Sequence, residues 1–230
     1  MFSYYGAKTR VVDFYPKPTH NKIIEPFAGS ARYSLKYFEN DILLVDKYEV
    51  IVRIWKYLQE CSVNDIMSLP KLAAGKKIIR ENFDCIEQAW LMGFIISRGQ
   101  STPMLTVSKW GEIVFEKQRK FIAENLFKIK HWNIVQAEHT DLTNENATWF
   151  IDPPYQVGGN KYKFNNKKID YNELAKWCKT RYGQIIVCEN TNADWLDFIP
   201  VATQRGQFKT TTEVLWSNCV TNYNLQTALF

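Results

Sequence analysis

The chain of 230 residues has no Cys-x-x-Cys pair, although it contains five cysteines. An odd, scattered set argues against both a disulfide framework and a zinc site, and reads as reduced core thiols. Only three histidines occur, far apart, and none sits in a His-Glu-x-x-His pattern. No metal is therefore expected. Long apolar runs are also missing. Ala89 to Ile96, broken by Gly93, is the longest, far below the ~20 residues that span a bilayer. The first eight residues show no apolar core and no small-residue cleavage site, so no secretory signal and no membrane partner are expected. Together these absences lead to the expectation of a cytoplasmic protein, and the compactness of the chain suggests a bacterial or phage-infected cell. There is no internal repeat and no low-complexity tract. Disorder is excluded by a composition of 46% hydrophobic and 23% charged residues.

The net charge is +5, and its distribution is uneven. Residues 56–135 hold 12 Lys/Arg against 8 Asp/Glu, while the other 150 residues hold 17 against 16. A solvated helical face and a phosphate-binding surface both fit that surplus. Aromatic residues make up 15% of the chain, most of them expected in the core.

Apolar periodicity divides the chain into an α/β pattern and a helical block. Strands are expected at Lys22–Glu25, Ile42–Asp46, Trp132–Gln136, Trp149–Asp152 and Gln184–Glu189, with a late edge strand at Thr210–Trp216. Helices are expected at Ser30–Glu39, Tyr48–Glu60 and Tyr171–Arg181. Between the two α/β parts, Asn82–Ile96 and Glu116–Ile129 read as helices flanking a loop or hairpin over 97–115. This predicts one parallel-sheet domain, 1–55 and 136–230, with a small, mainly helical domain, 56–135, inserted in it.

Open α/β sheets bind ligands beyond the carboxyl ends of their strands. Three strands here end in an acid: Glu25, Asp46 and Asp152. After Glu25 comes Pro26-Phe27-Ala28-Gly29-Ser30-Ala31, a tight turn in which Gly29 lets a ligand approach the backbone. Asp46 ends the next strand, where a carboxylate accepts hydrogen bonds from ribose hydroxyls. Asp152-Pro153-Pro154-Tyr155 is the most specific signal. Its two prolines lock the chain and remove two N–H donors. Rigid acceptors remain beside a flat ring, a set suited to an aromatic amine held by its two N–H groups.

These pieces resemble the Dam-type adenine-specific DNA methyltransferases. Ser3-Tyr4-Tyr5-Gly6-Ala7-Lys8 is similar to the family's aromatic-x-Gly-Gly-Lys motif, and Ile24–Ser30 to its Glu-Pro-Phe-x-Gly-Ser loop. Val45-Asp46 matches its ribose-binding acid and Asp152–Tyr155 its catalytic tetrapeptide. The pieces stand in the family's order. Ala7 and Ala31 depart from it, since the family usually has Gly at both places, and the chain is short enough to imply a trimmed recognition domain. The resemblance implies a Rossmann-like class I methyltransferase sheet that uses S-adenosylmethionine. It implies Tyr4, Lys8, Glu25, Phe27, Ala28, Gly29, Ser30, Asp46 and Asp152 around that cofactor. Asp152 and the Pro153 carbonyl would hold the N6 amine of an adenine flipped out of double-stranded DNA, and Tyr155 would stack on the base. DNA contacts are expected in the middle block. Arg98, Gln100 and Ser101 lie in its loop, Lys109 near a turn at Gly111, and Lys117, Arg119 and Lys120 at the opening of the following helix. Three alternatives stay open: cytosine N4 as the amine, a non-catalytic DNA-binding protein on a decayed fold, and, ranked last, RNA methylation. The recognition sequence, any restriction partner and the oligomeric state, a monomer included, are not legible.

Overall fold

The computed structural model describes residues 1–205 and 210–219; the last eleven residues of the expected catalytic segment lie outside the described residues. Seven strands form one sheet: β1 (Lys22–Glu25), β2 (Asp41–Asp46), β3 (Asn133–Gln136), β4 (Ala147–Ile151), β5 (Gly183–Asn190), β6 (Ile199–Arg205) and β7 (Thr210–Ser217). Their order is β3-β2-β1-β4-β5-β7-β6. The first five run parallel, and β7 lies antiparallel to both β5 and β6. This is the expected α/β, Rossmann-like architecture. β6 is not among the strands expected from sequence; its second residue is Pro200, which obscures the strand pattern and suits an edge.

Period-2 alternation sends neighbouring side chains to opposite faces. Ile23, Phe150, Ile186 and Cys188 belong to one hydrophobic cluster, and Ile24, Trp149, Ile151, Ile185 and Val187 to the other. Helix α6 (Tyr171–Lys179) covers the second face with Leu174, Ala175 and Cys178. The first face is covered by α1 (Arg32–Lys36), α2 (Glu49–Glu60) and the helices of the middle block. Those are α3 (Val63–Met67), α4 (Ile86–Ile95) and α5 (Lys109–Asn125), and Phe94, Phe115 and Ile122 join the same cluster as the strands. Among the described residues no helix is long and apolar enough to cross a membrane.

Two helices differ from expectation. α1 is short because Ala31 takes a left-handed conformation (φ 46°), so helical backbone starts only at Arg32. α5 starts seven residues earlier than the sequence suggests, so Lys109 opens the helix and Lys117–Lys120 lie inside it. Ser108 caps it, its hydroxyl accepting the Gly111 N–H at 3.0 Å. Gly111 marks a close helix crossing and not a turn: a Cβ there would sit 2.8 Å from the Ile96 carbonyl oxygen.

Candidate functional site

β1 pairs with β2 on one side and with β4 on the other. The strand order reverses there, with β2 and β3 laid to one side of β1 and β4 and β5 to the other, and a crevice opens beyond the carboxyl ends of these strands. A cavity of about 520 Å³ occupies it. Glu25, Asp46 and Asp152 all line it, as do Tyr4, Lys8, Phe27, Ala28, Gly29 and Ser30. The structure thus brings every residue of the sequence-derived cofactor set to one cavity. Pro153 and Tyr155, the other two residues expected to be catalytic, are flanked by lining residues Asp152 and Pro154 but do not themselves line it.

Asp46 is held by two backbone N–H groups, from Gly29 to Oδ2 at 3.0 Å and from Tyr48 to Oδ1 at 2.8 Å. Each oxygen keeps a lone pair for a further donor. Burial pushes its carboxyl up to about 6, against the opposing pull of those two N–H groups. The turn carrying Gly29 is anchored from below, because the Trp55 indole N–H donates to the Gly29 carbonyl at 2.9 Å. Gly29 has φ 46°, and the Tyr4 ring passes 3.1 Å from where a Cβ would be. Glu25 is buried and accepts the Ser34 N–H at 2.6 Å. Burial outweighs that bond and raises its carboxyl to about 8.

Lys8 is 5% exposed. Its ammonium lies 2.7 Å from Asp152 Oδ1 and 3.8 Å from Glu213 Oε1, donates to the Gly6 carbonyl at 3.0 Å, and sits 4.6 Å above the Tyr155 ring. Burial alone would lower the Lys8 ammonium, but the two carboxylates outweigh it and raise it. Asp152 is raised to about 6, first by burial, with Lys8 pulling it down and Glu213 pushing it up. Since Lys8 is paired with Oδ1, Oδ2 is the carboxylate's freer acceptor. No described residue donates to the Pro153 carbonyl, whereas Pro154 accepts the Tyr171 hydroxyl at 2.5 Å. Lys8 covers one face of the Tyr155 ring, and the Tyr155 hydroxyl donates to Glu213.

Three residues absent from the sequence-derived set complete this cluster. Glu213 accepts hydroxyl bonds from both Tyr155 and Tyr15, the latter at 2.7 Å. It reaches the site because β7 runs antiparallel and Glu213 pairs with Asn190, at the carboxyl end of β5. Tyr162 packs against the Tyr4 and Tyr5 rings and donates to the Tyr5 carbonyl at 3.1 Å. No local pattern marks Glu213 or Tyr15. Tyr162 carried a faint signal, an aromatic between two lysines.

The residues expected to meet DNA are placed in two groups. Arg98, Gln100 and Ser101 follow α4 and stand beside the cavity. Tyr5 donates its N–H to the Gln100 carbonyl at 3.1 Å, and Ser101 Oγ donates to the Lys161 carbonyl at 2.5 Å. Arg98 is exposed, its guanidinium 5.2 Å from the Trp110 ring. Lys109, Lys117 and Lys120 are exposed along α5. Arg119 is turned inward, donating to the Met67 carbonyl at 2.7 Å and the Leu69 carbonyl at 3.1 Å and pairing with Glu116 at 2.6 Å. It ties α5 to the end of α3.

No protein-family model and no curated protein matches the chain. Among solved structures, it is similar to a chain described as "Putative methyltransferase yhhF from Escherichia coli", with 9% identity, 85% of this chain and 74% of that chain covered, and a TM-score of 0.38.

Proposed function

We propose that this protein is an S-adenosylmethionine-dependent DNA methyltransferase acting on the exocyclic N6 amine of adenine. The observation that carries the reading is the pairing of two acceptor sites in one cavity: Asp152, on its proline-locked turn, and Asp46, at the end of β2. The residues fit the cofactor. The cavity is of the size that holds a nucleoside-sized ligand, and Asp46 keeps acceptor capacity for two adjacent hydroxyls. Phe27 and Tyr4 offer flat rings, and a Tyr face favours a sulfonium cation. When bound, S-adenosylmethionine supplies an electrophilic methyl group.

The chain's own residues do the rest. Adenine's exocyclic nitrogen is a poor nucleophile because its lone pair is delocalised into the ring. Asp152 and the Pro153 carbonyl accept one N–H each, which draws the nitrogen toward tetrahedral geometry and frees the lone pair. Lys8 fixes the Asp152 rotamer, and Glu213 helps to hold Lys8 in place. The methylated amine then sheds one proton, which Asp152, with a carboxyl near 6, can hold briefly on its way to solvent. In this reading the block 56–135 serves as the inserted recognition domain.

The test is mass spectrometry of nucleosides from duplex DNA incubated with the protein and labelled cofactor. Labelled N6-methyladenine is expected, and Asp152→Ala should lower its formation by a factor of 10³ or more, on the scale of a lost transition-state contact set. Labelled N4-methylcytosine would move the reading to the other amine. Cofactor binding with no label on DNA would refute it.

A further inference from the structure

The charge surplus spread through residues 56–135 hides a denser cluster elsewhere. Residues 156–169 contain Lys161, Lys163, Lys167 and Lys168 and no acid. The structure lays this segment across the cavity as a strap. It leaves the proline-locked turn with the Gly159 N–H on the Tyr155 carbonyl at 3.0 Å, and Asn166 Nδ2 ties it to the Gln156 carbonyl at 2.8 Å. It ends at Asp170, the N-cap of α6. The strap turns aromatic rings inward: Tyr162 onto Tyr4 and Tyr5, Phe164 onto Tyr48. Lys163 and Lys168 border the cavity, while Lys161 and Lys167 are exposed outside it.

None of the four lysines is ion-paired among the described residues, whereas Lys22, Lys36, Lys47 and Lys176 each pair with a carboxylate. The nearest acid in sequence, Asp170, is engaged by the Asn172 and Glu173 N–H groups at 3.0 and 3.1 Å. Lys161 rests its ammonium 5.5 Å from the centre of the Tyr5 ring, but no carboxylate among the described residues pairs with any of the four. Four like charges within eight residues repel one another, and a polyanion laid across them relieves that repulsion. The strap is also joined to the loop of Arg98 and Gln100 through the bond from Ser101 to the Lys161 carbonyl. The two segments make one continuous rim.

We infer that the strap 159–168 and the loop 97–101 form a phosphate-binding rim over which the DNA backbone flanking the target base runs, with Lys161 and Lys167 on phosphates. This rests on the DNA reading above, and the strap adds a contact surface to the loop already expected to meet DNA.

The test is fluorescence anisotropy with a labelled duplex, from 50 to 200 mM salt, comparing the full chain with Lys161→Gln/Lys167→Gln. Each phosphate contact contributes about 0.9 to the slope of log affinity against log salt. The double variant should therefore show a slope flatter by about two and affinity tens of times weaker at 0.1 M salt. Cofactor affinity should not change, because neither side chain lines the cavity. Lys17→Gln serves as the control. The Lys17 carbonyl accepts from Gln184, near the start of β5 and so at the opposite edge of the sheet, and its slope should equal that of the unaltered chain. An unchanged slope in the double variant overturns the rim while leaving the DNA reading standing. Failure of the unaltered chain to bind duplex, or binding to RNA alone, overturns the DNA reading itself.

Discussion

Replacing Lys8 with methionine keeps an unbranched stem against the Tyr155 ring and removes the ammonium from beside Asp152. The pair is buried, with side chains 6% and 19% exposed and 2.7 Å between charged atoms. At an effective dielectric of about 20, a pair at that distance interacts by about 6 kcal/mol. Its loss therefore moves Asp152 up by more than about 2 units even after neighbours relax, at about 1.4 kcal/mol per unit. Glu213 remains and pushes in the same direction. In the unaltered chain, methyl transfer that needs the Asp152 carboxylate should fall as pH drops through about 6. In Lys8→Met that acid limb should lie above pH 8, leaving activity near neutrality down by roughly tenfold or more and restored by alkaline buffer. The assay is single-turnover transfer to duplex DNA from pH 5 to 9.5 with saturating cofactor, alongside cofactor titration by tryptophan fluorescence, since Trp177 lines the cavity. A uniform loss of rate with the acid limb still near 6 would refute the electrostatic role given to Lys8.

Other perturbations have equally definite outcomes. Gly6→Ala places a Cβ 2.0 Å from the Tyr162 hydroxyl, at a residue with φ 75°. It should dislodge the strap and weaken cofactor binding by about tenfold or more, the equivalent of losing one hydrogen bond, with unchanged affinity in a fluorescence titration counting against the strap's sealing role. Arg119→Ala strands the Met67 and Leu69 carbonyls; it should cost about 1–3 kcal/mol in urea denaturation while leaving the salt slope of DNA binding unaltered. Glu25 and Glu189 are raised by burial to about 8 and about 7. The folded state therefore holds protons that the unfolded chain releases, and the stability this confers is lost as pH rises toward the folded values. Urea midpoints should decrease from pH 6.5 to 8.5, and Glu25→Gln should remove much of that slope; a midpoint that rises instead would show that other groups dominate.

Much of the sheet was legible because parallel strands buried on both faces are short, continuous apolar runs. Ile23-Ile24, Ile42–Val45 and Ile185–Cys188 carry that mark. The acids ending them were legible too, as abrupt polar stops, and so was the stiffness of Asp152-Pro153-Pro154. The start of α5 was misread because a glycine in sequence cannot say whether it bends a chain or admits a neighbour. Gly111 admits Ile96. Arg119 looked like a surface cation because nothing local to α5 shows the carbonyls at the end of α3 that it meets.

The chain's own residue order determined the strand ends, the locked turn and the chemistry available there, since each depends on neighbours within a few positions. Tertiary structure alone decided which charges share the site. Glu213 lies 61 residues beyond Asp152 and reaches Lys8 only because β7 enters the sheet antiparallel to β5, bringing its first residues to the edge where the parallel strands end. Lys8 itself arrives from the other end of the chain. Strand order and register arise from long-range burial of whole faces, and the periodicity of one segment carries no information about which distant strand will lie beside it.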